Sequence, residues 1–134
     1  MHSIEKAKKS KFFKKIILVR NKKIKISGVN VIKGGKERAD SSFRALKYLK
    51  NKNIKNVFIH DAARPNFTIN LLKKLKKNLN NNNAVVPYIN TSNSTKYIYK
   101  KKIVNLKRER VFLTQTPQCF DFKTLYNLSK KNKS

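Results

Sequence analysis

Short apolar runs rich in β-branched residues are spaced along the chain, with apolar residues at helical spacing between them. That alternation narrows the possible folds more than any other feature. Ile16-Ile17-Leu18-Val19 reads as a buried strand, Val29 to Ile32 as a second stopped by Gly34-Gly35, and Val57-Phe58-Ile59 as a third. Ala84-Val85-Val86-Pro87 reads as a further strand that ends at its proline, after a polar loop from Asn80 to Asn83. Asp40 or Ser41 can cap a helix carrying Phe43, Leu46 and Leu49. Thr68 looks like the cap of another, with Ile69, Leu72, Leu75 and Leu79 on one face. Asp121 caps a short helix with Leu125 and Leu128, and Ile4, Ala7, Phe12 and Phe13 form a loosely helical pattern at the start. Lys96 to Leu106 alternates weakly around Lys100-Lys101-Lys102, as a hairpin arm would. Strands alternating with helices at this spacing indicate an α/β fold with a parallel sheet.

At 134 residues, 39% of them hydrophobic, the chain suits one domain with a modest core. The single cysteine, Cys119, excludes an intrachain disulfide and reads best as a small buried residue, with no nearby His to activate it. His2 and His60 are too few for a histidine zinc cage. No apolar run of about 18 residues is present, so no transmembrane helix is expected. Met1 to Lys15 lacks the apolar stretch of a secretory signal. The expectation is a soluble cytoplasmic protein, an organellar site remaining open.

The 34 Lys and Arg against 6 Asp and Glu give a formal net charge of +28. Lysines that neutralise phosphates bind nucleic acid without sequence preference. Here they lie in every segment, often beside Asn and Ile, with no stacking motif, zinc finger or recognition helix. Nonspecific association at low salt is therefore the only nucleic-acid binding expected.

Three constellations carry possible chemistry. In the first, Val57-Phe58-Ile59 runs straight into His60-Asp61-Ala62-Ala63-Arg64-Pro65. Ligands of open parallel sheets sit outside the carboxyl ends of strands. There Asp61 can hold Mg²⁺ and Arg64 can fork a phosphate or order the loop, or the two form a structural pair. His60 reads as a neutral, hydrogen-bonded structural residue in preference to a catalytic one. The second is Gly34-Gly35-Lys36-Glu37-Arg38-Ala39-Asp40-Ser41, where glycines let backbone approach a ligand and Ser41 presents its hydroxyl and amide, or which is simply a turn. The third, Thr114-Gln115-Thr116-Pro117-Gln118, is polar between apolar neighbours, and either satisfies a buried loop or faces a substrate.

Taken in this order the three motifs, with Phe120 after the last, resemble the 2-C-methyl-D-erythritol 4-phosphate cytidylyltransferase family. Thr95-Lys96 and Arg108 fall where the family's arm and its substrate-positioning arginine lie. The resemblance implies a partial Rossmann-like nucleotidyltransferase domain over residues 1–134, with a mostly parallel sheet and a β-hairpin dimerisation arm at about 90–110. It implies transfer of CMP from CTP to 2-C-methyl-D-erythritol 4-phosphate with release of pyrophosphate, assisted by Mg²⁺ or another divalent cation. By position, Asp61 would bind the metal and help hold substrate, and Gly35, Ser41 and Ala62 would line the cytidine side. Arg64 would order the loop or contact substrate, and Thr116 would contact the methylerythritol phosphate. Arg108 would reach from the arm into the site of the other subunit of a homodimer.

There are departures from the family pattern. No opening strand, glycine-rich loop or Pro-Lys-Gln segment precedes Met1-His2-Ser3-Ile4-Glu5-Lys6-Ala7, which resembles the helix after that loop. The last strand and its lysine have no counterpart either. Asn93 stands where the family tends to have Asp, and Lys107 stands in place of an acid before Arg108. The chain thus resembles the middle of a catalytic domain, and little or no turnover is expected of it alone. The competing readings are a non-catalytic remnant or partner subunit that dimerises through residues 90–110, and a basic nucleic-acid-binding module.

Overall fold

The computed structural model describes residues 1–133. Helix α1 (His2–Lys9) leads into β1 (Ile17–Arg20), β2 (Asn30–Lys33), α2 (Arg38–Leu49) and β3 (Asn56–Ile59). Helix α3 (Ile69–Leu79), β4 (Ala84–Val85), β5 (Tyr88–Asn90), β6 (Thr95–Tyr99) and β7 (Lys102–Leu106) follow. A 3₁₀ turn (Arg108–Arg110), β8 (Phe112–Thr114), β9 (Gln118–Asp121) and α4 (Phe122–Lys131) complete the described elements.

The α/β class holds, but most strand pairs are antiparallel where a mostly parallel sheet was expected, and the described strands form four separate hydrogen-bonded sets. Among the described residues only β1 and β2 pair in parallel, from Ile17 opposite Asn30 to Arg20 opposite Lys33. Strands β3 and β4 do not touch through hydrogen bonds. Strand β9 lies between them and runs antiparallel to both, with Cys119 opposite Phe58 on one side and Val85 on the other. Strand β9 escapes the hydropathy pattern because polar Gln118 and Asp121 bracket only Cys119 and Phe120. Strand β5 resumes directly after Pro87 and pairs antiparallel with β8, Ile89 opposite Leu113.

Alternate residues of β3 face opposite sides, as strand geometry dictates. Val57 packs on a cluster of Leu46, Leu49 and Phe122 with Ile17 and Tyr126, while Phe58 packs on Leu75, Leu79 and Cys119 with Val85. The sheet is therefore covered by α2 and α4 on one face and α3 on the other. Phe12 and Phe13 lie beyond the end of α1 and meet Phe58 edge-on, with ring centroids 5.6 Å and 5.4 Å away.

Helix starts follow capping chemistry. Thr68 Oγ1 accepts the Leu71 N–H at 3.1 Å, and Asp121 Oδ1 accepts the Thr124 N–H at 2.8 Å. Helix α2 begins earlier than either expected cap. Glu37 is the N-cap of a capping box, its N–H donated to Asp40 Oδ2 at 3.2 Å, and the Ser41 hydroxyl is engaged elsewhere. The arm is a regular hairpin, with Ile98 opposite Ile103 and a two-residue turn at Lys100 and Lys101.

Candidate active site

The apolar run of β3 ends at Ile59, and α3 cannot begin before Thr68, so the intervening residues form a loop at the strand's carboxyl end. The loop opens with a tight turn, in which the Arg64 N–H donates to the Asp61 carbonyl at 2.9 Å. Phe67 anchors the far side, 5% exposed. Because β9 is antiparallel to β3 with Gln118 opposite Ile59, the residues just before β9 must lie beside those just after β3. That register delivers Thr116, and the Asp61 N–H donates to its Oγ1 at 3.2 Å. The Thr116–Pro117 peptide is cis.

The first turn of α2 arrives from a third direction. Arg38 Nη2 lies 3.3 Å from Asp61 Oδ1, and Arg64 Nε lies 3.6 Å from Asp61 Oδ2. Arg64 Nη1 also donates to Gln115 Oε1 at 2.7 Å. Two guanidiniums therefore converge on one carboxylate. These side chains are 37–62% exposed, and exposed ion pairs contribute about 0–1 kcal/mol each. Their consequence is orientation: a face with surplus positive charge and forked donors, suited to phosphate oxygens. His60 sits under this face, and its burial holds the imidazole below its usual pKa despite a backbone hydrogen bond that opposes the shift.

Asp61, Arg64 and Thr116 are thus brought together, as their motifs suggested. Gly35 and Ser41 lie at the start of α2, where the Gly35 N–H donates to Ser41 Oγ at 3.0 Å. Glycine is required at position 35 because a Cβ there would run into Asp40. Ala62 is exposed, and its carbonyl accepts the Ser3 hydroxyl at 2.9 Å. Arg108 is not joined to this cluster: its Nη1 donates to the Ser92 carbonyl at the base of the arm, 3.1 Å away. Sequence reasoning passed over Arg38 as a site residue, although it stands in the second motif one residue after the helix cap. It also undervalued Gln115, which binds Arg64.

Among the described residues no three His, Cys, Asp or Glu side chains cluster as a metal cage. Both Asp61 oxygens face guanidiniums, so this carboxylate could give a Mg²⁺ ion at most one protein ligand, the others coming from phosphate oxygens and water, and the residues do not fit an ion held by protein alone. A concavity of about 850 Å³ lies at the other end of β3, around Asn56, Asn80 and Asp121, and shares none of these residues.

The family model for 2-C-methyl-D-erythritol 4-phosphate cytidylyltransferase matches residues 1–134. The chain is 48% identical over 141 residues to the bifunctional enzyme IspD/IspF of Pelagibacter ubique (strain HTCC1062), covering 100% of this chain and 38% of that protein. It is 39% identical over 109 residues to the 2-C-methyl-D-erythritol 4-phosphate cytidylyltransferase of Clostridium kluyveri (strain NBRC 12016), covering 77% of this chain and 45% of that one. The crystal structure of 4-diphosphocytidyl-2C-methyl-D-erythritol synthase from Anaerococcus prevotii DSM 20548 superposes with a TM-score of 0.85 at 26% identity, over 98% of this chain and 63% of its own. The chain spans 38% and 45% of the length of the two curated relatives. The three motifs, the antiparallel β3–β9 pairing that joins two of them and a family-model match from the first residue to the last agree, and the chain belongs to the 2-C-methyl-D-erythritol 4-phosphate cytidylyltransferase family.

Proposed function

We propose that this chain takes part in transferring CMP from CTP to 2-C-methyl-D-erythritol 4-phosphate, with release of pyrophosphate. The observation that carries the reading is the Arg38–Asp61–Arg64 cluster at the carboxyl end of β3. In such a transfer the substrate phosphate attacks the α-phosphorus of CTP, and the protein contributes positioning and charge neutralisation. Arg38 and Arg64 supply fixed positive charge where phosphate charge develops, and Asp61 holds both guanidiniums in place. Gly35, Ser41 and Ala62, which share their motifs with Arg38 and Asp61, are the residues proposed for cytidine. A Mg²⁺ ion entering with the triphosphate, with Asp61 as its one protein carboxylate, would screen the phosphate charge.

The homodimer is part of the same proposal. Ile98 is 78% exposed, Ile103 71% and Tyr99 57%. Tyr88 and Phe112 on β5 and β8 are likewise exposed, at 59% and 53%. A second copy would cover them and bring Arg108 towards its neighbour's site. No described helix is long and apolar enough to cross a membrane, and a cytoplasmic location is part of the proposal.

The test is a CTP–Mg²⁺ titration of the chain followed by amide shifts, with pyrophosphate release measured after adding methylerythritol phosphate. Saturable shifts at Gly35, Ser41, Asp61 and Arg64, weakened about tenfold in R38A and R64A, are expected. GTP run in parallel controls for the general attraction of a basic protein to anions. Binding that ignores these residues and fades with rising salt would instead mark nonspecific polyanion attraction.

A further inference from the structure

The Thr116 hydroxyl is bonded twice by the loop that follows β3. Its oxygen lies 3.0 Å from His60 Nδ1 and accepts the Asp61 N–H at 3.2 Å. The other imidazole nitrogen, Nε2, lies 2.6 Å from the Arg64 carbonyl oxygen. A carbonyl can only accept, so Nε2 carries the proton of the neutral ring and Nδ1 is left as an acceptor. Thr116 therefore gives its only hydroxyl proton to His60, which turns a lone pair of the same oxygen toward the Asp61 N–H. The ring itself is fixed edge-on to Phe67, with centroids 4.9 Å apart at 77°.

We propose that His60 is a positioning residue: through the Thr116 hydroxyl it locks the Asp61–Arg64 turn to the Gln115–Thr116 loop, and so sets the aim of Arg64. The proposal rests on the functional reading above, in which Arg64 meets a nucleotide phosphate. Arg64 is held from both sides of this lock, by Asp61 on its own turn and by Gln115 on the opposite loop. Thr116 then has no proton left to offer a substrate, and it serves the phosphate through Arg64. The lock differs from the general support that a buried side chain gives, because it depends on which ring nitrogen is the acceptor.

Two substitutions separate the ring nitrogens. The amide of H60N falls near Nδ1 and keeps the Thr116 link, while that of H60Q falls near Nε2 and keeps only the Arg64 carbonyl link. T116V removes the hydroxyl at constant shape, and T116S restores it. On the 134-residue chain, ¹⁵N spectra of the imidazole are expected to show the proton on Nε2. Exchange of the Asp61 amide should quicken about tenfold in T116V and H60Q, and stay near wild type in H60N and T116S. CTP affinity, titrated with Mg²⁺, should fall about tenfold in T116V and in H60Q, with the double variant no worse than either.

A proton on Nδ1 overturns the proposal. Additive losses in the double variant overturn it too, as does faster Asp61 exchange at unchanged CTP affinity, which would make the link merely structural. A wild-type chain that binds no CTP defeats the functional reading, while the coupling of the two loops is still decided by the ring spectrum and the Asp61 exchange.

Discussion

The Ser3 hydroxyl donates to the Ala62 carbonyl at 2.9 Å, across 59 residues of sequence. Ser3 is 6% exposed, and Lys6 on the same helix reaches the Pro65 carbonyl at 3.2 Å and the Phe67 ring at 5.5 Å. Helix α1 thus clamps the loop that carries Asp61 and Arg64. Removing the hydroxyl frees a carbonyl that water can reach, so S3A is expected to cost about 1 kcal/mol in urea unfolding. Amide exchange across residues 61–67 should quicken more than in α3. Equal protection of the loop in S3A and wild type would show that the clamp does not hold it.

The arm turn carries avoidable backbone strain. Lys100 and Lys101 have φ of 47° and 63°, and a two-residue hairpin loop with both φ positive is the type I′ arrangement. Lysine pays a steric penalty in that region which glycine escapes. K101G is therefore expected to stabilise the hairpin by about 1 kcal/mol, read as slower amide exchange at Ile98 and Ile103. Unchanged or faster exchange there would mean that the lysine conformation carries no cost.

Much of the fold follows from local pattern. The β-branched runs at Ile17–Arg20 and Asn56–Ile59, the Thr68 and Asp121 caps and the Leu72–Leu75–Leu79 stripe are all set by neighbours in sequence. Helix α2 starts earlier than read because Glu37, a weak N-cap by residue type, is completed by Asp40 in a reciprocal box. Strand β9 was illegible because its pairing energy comes from β3 and β4, which a polar-ended four-residue segment cannot announce. The site divides the same way. Asp61 and Arg64 share one turn and could be read together, whereas Arg38 and Thr116 reach Asp61 only through helix placement and antiparallel register. The Ser3 clamp has no local signal at all.

Cys119 is fully buried between β3 and β4, and desolvation pushes its thiol up to about 11 from 9.0. Alkylation requires thiolate, so the native chain should hold about a hundredfold less reactive form than an unfolded one. Iodoacetamide at pH 8 is expected to label Cys119 slowly in buffer and rapidly in urea, which makes labelling a direct reading of unfolding around the Leu75–Leu79–Cys119 cluster. Rapid native labelling would place the thiol at a surface.

The Asp121 carboxylate joins β9 to α4 and accepts from both the Thr124 hydroxyl, at 2.6 Å, and the Thr124 N–H, at 2.8 Å. These bonds, the side-chain one first, hold its pKa below the ordinary 3.8. A carboxylate with a lowered folded pKa contributes stability while it is ionised. The contribution is complete above the ordinary value and is lost as pH falls from there through the folded value. D121A is expected to cost about 1 kcal/mol at neutral pH, the usual effect of deleting an N-cap. D121N keeps an acceptor for the Thr124 N–H but cannot titrate. Its unfolding free energy should therefore lie near wild type at pH 7 and fall less steeply than wild type below pH 3.8. Urea unfolding from pH 7 down to pH 3 separates the two cases: parallel curves for D121N and wild type would mean that the cap does not depend on the charge.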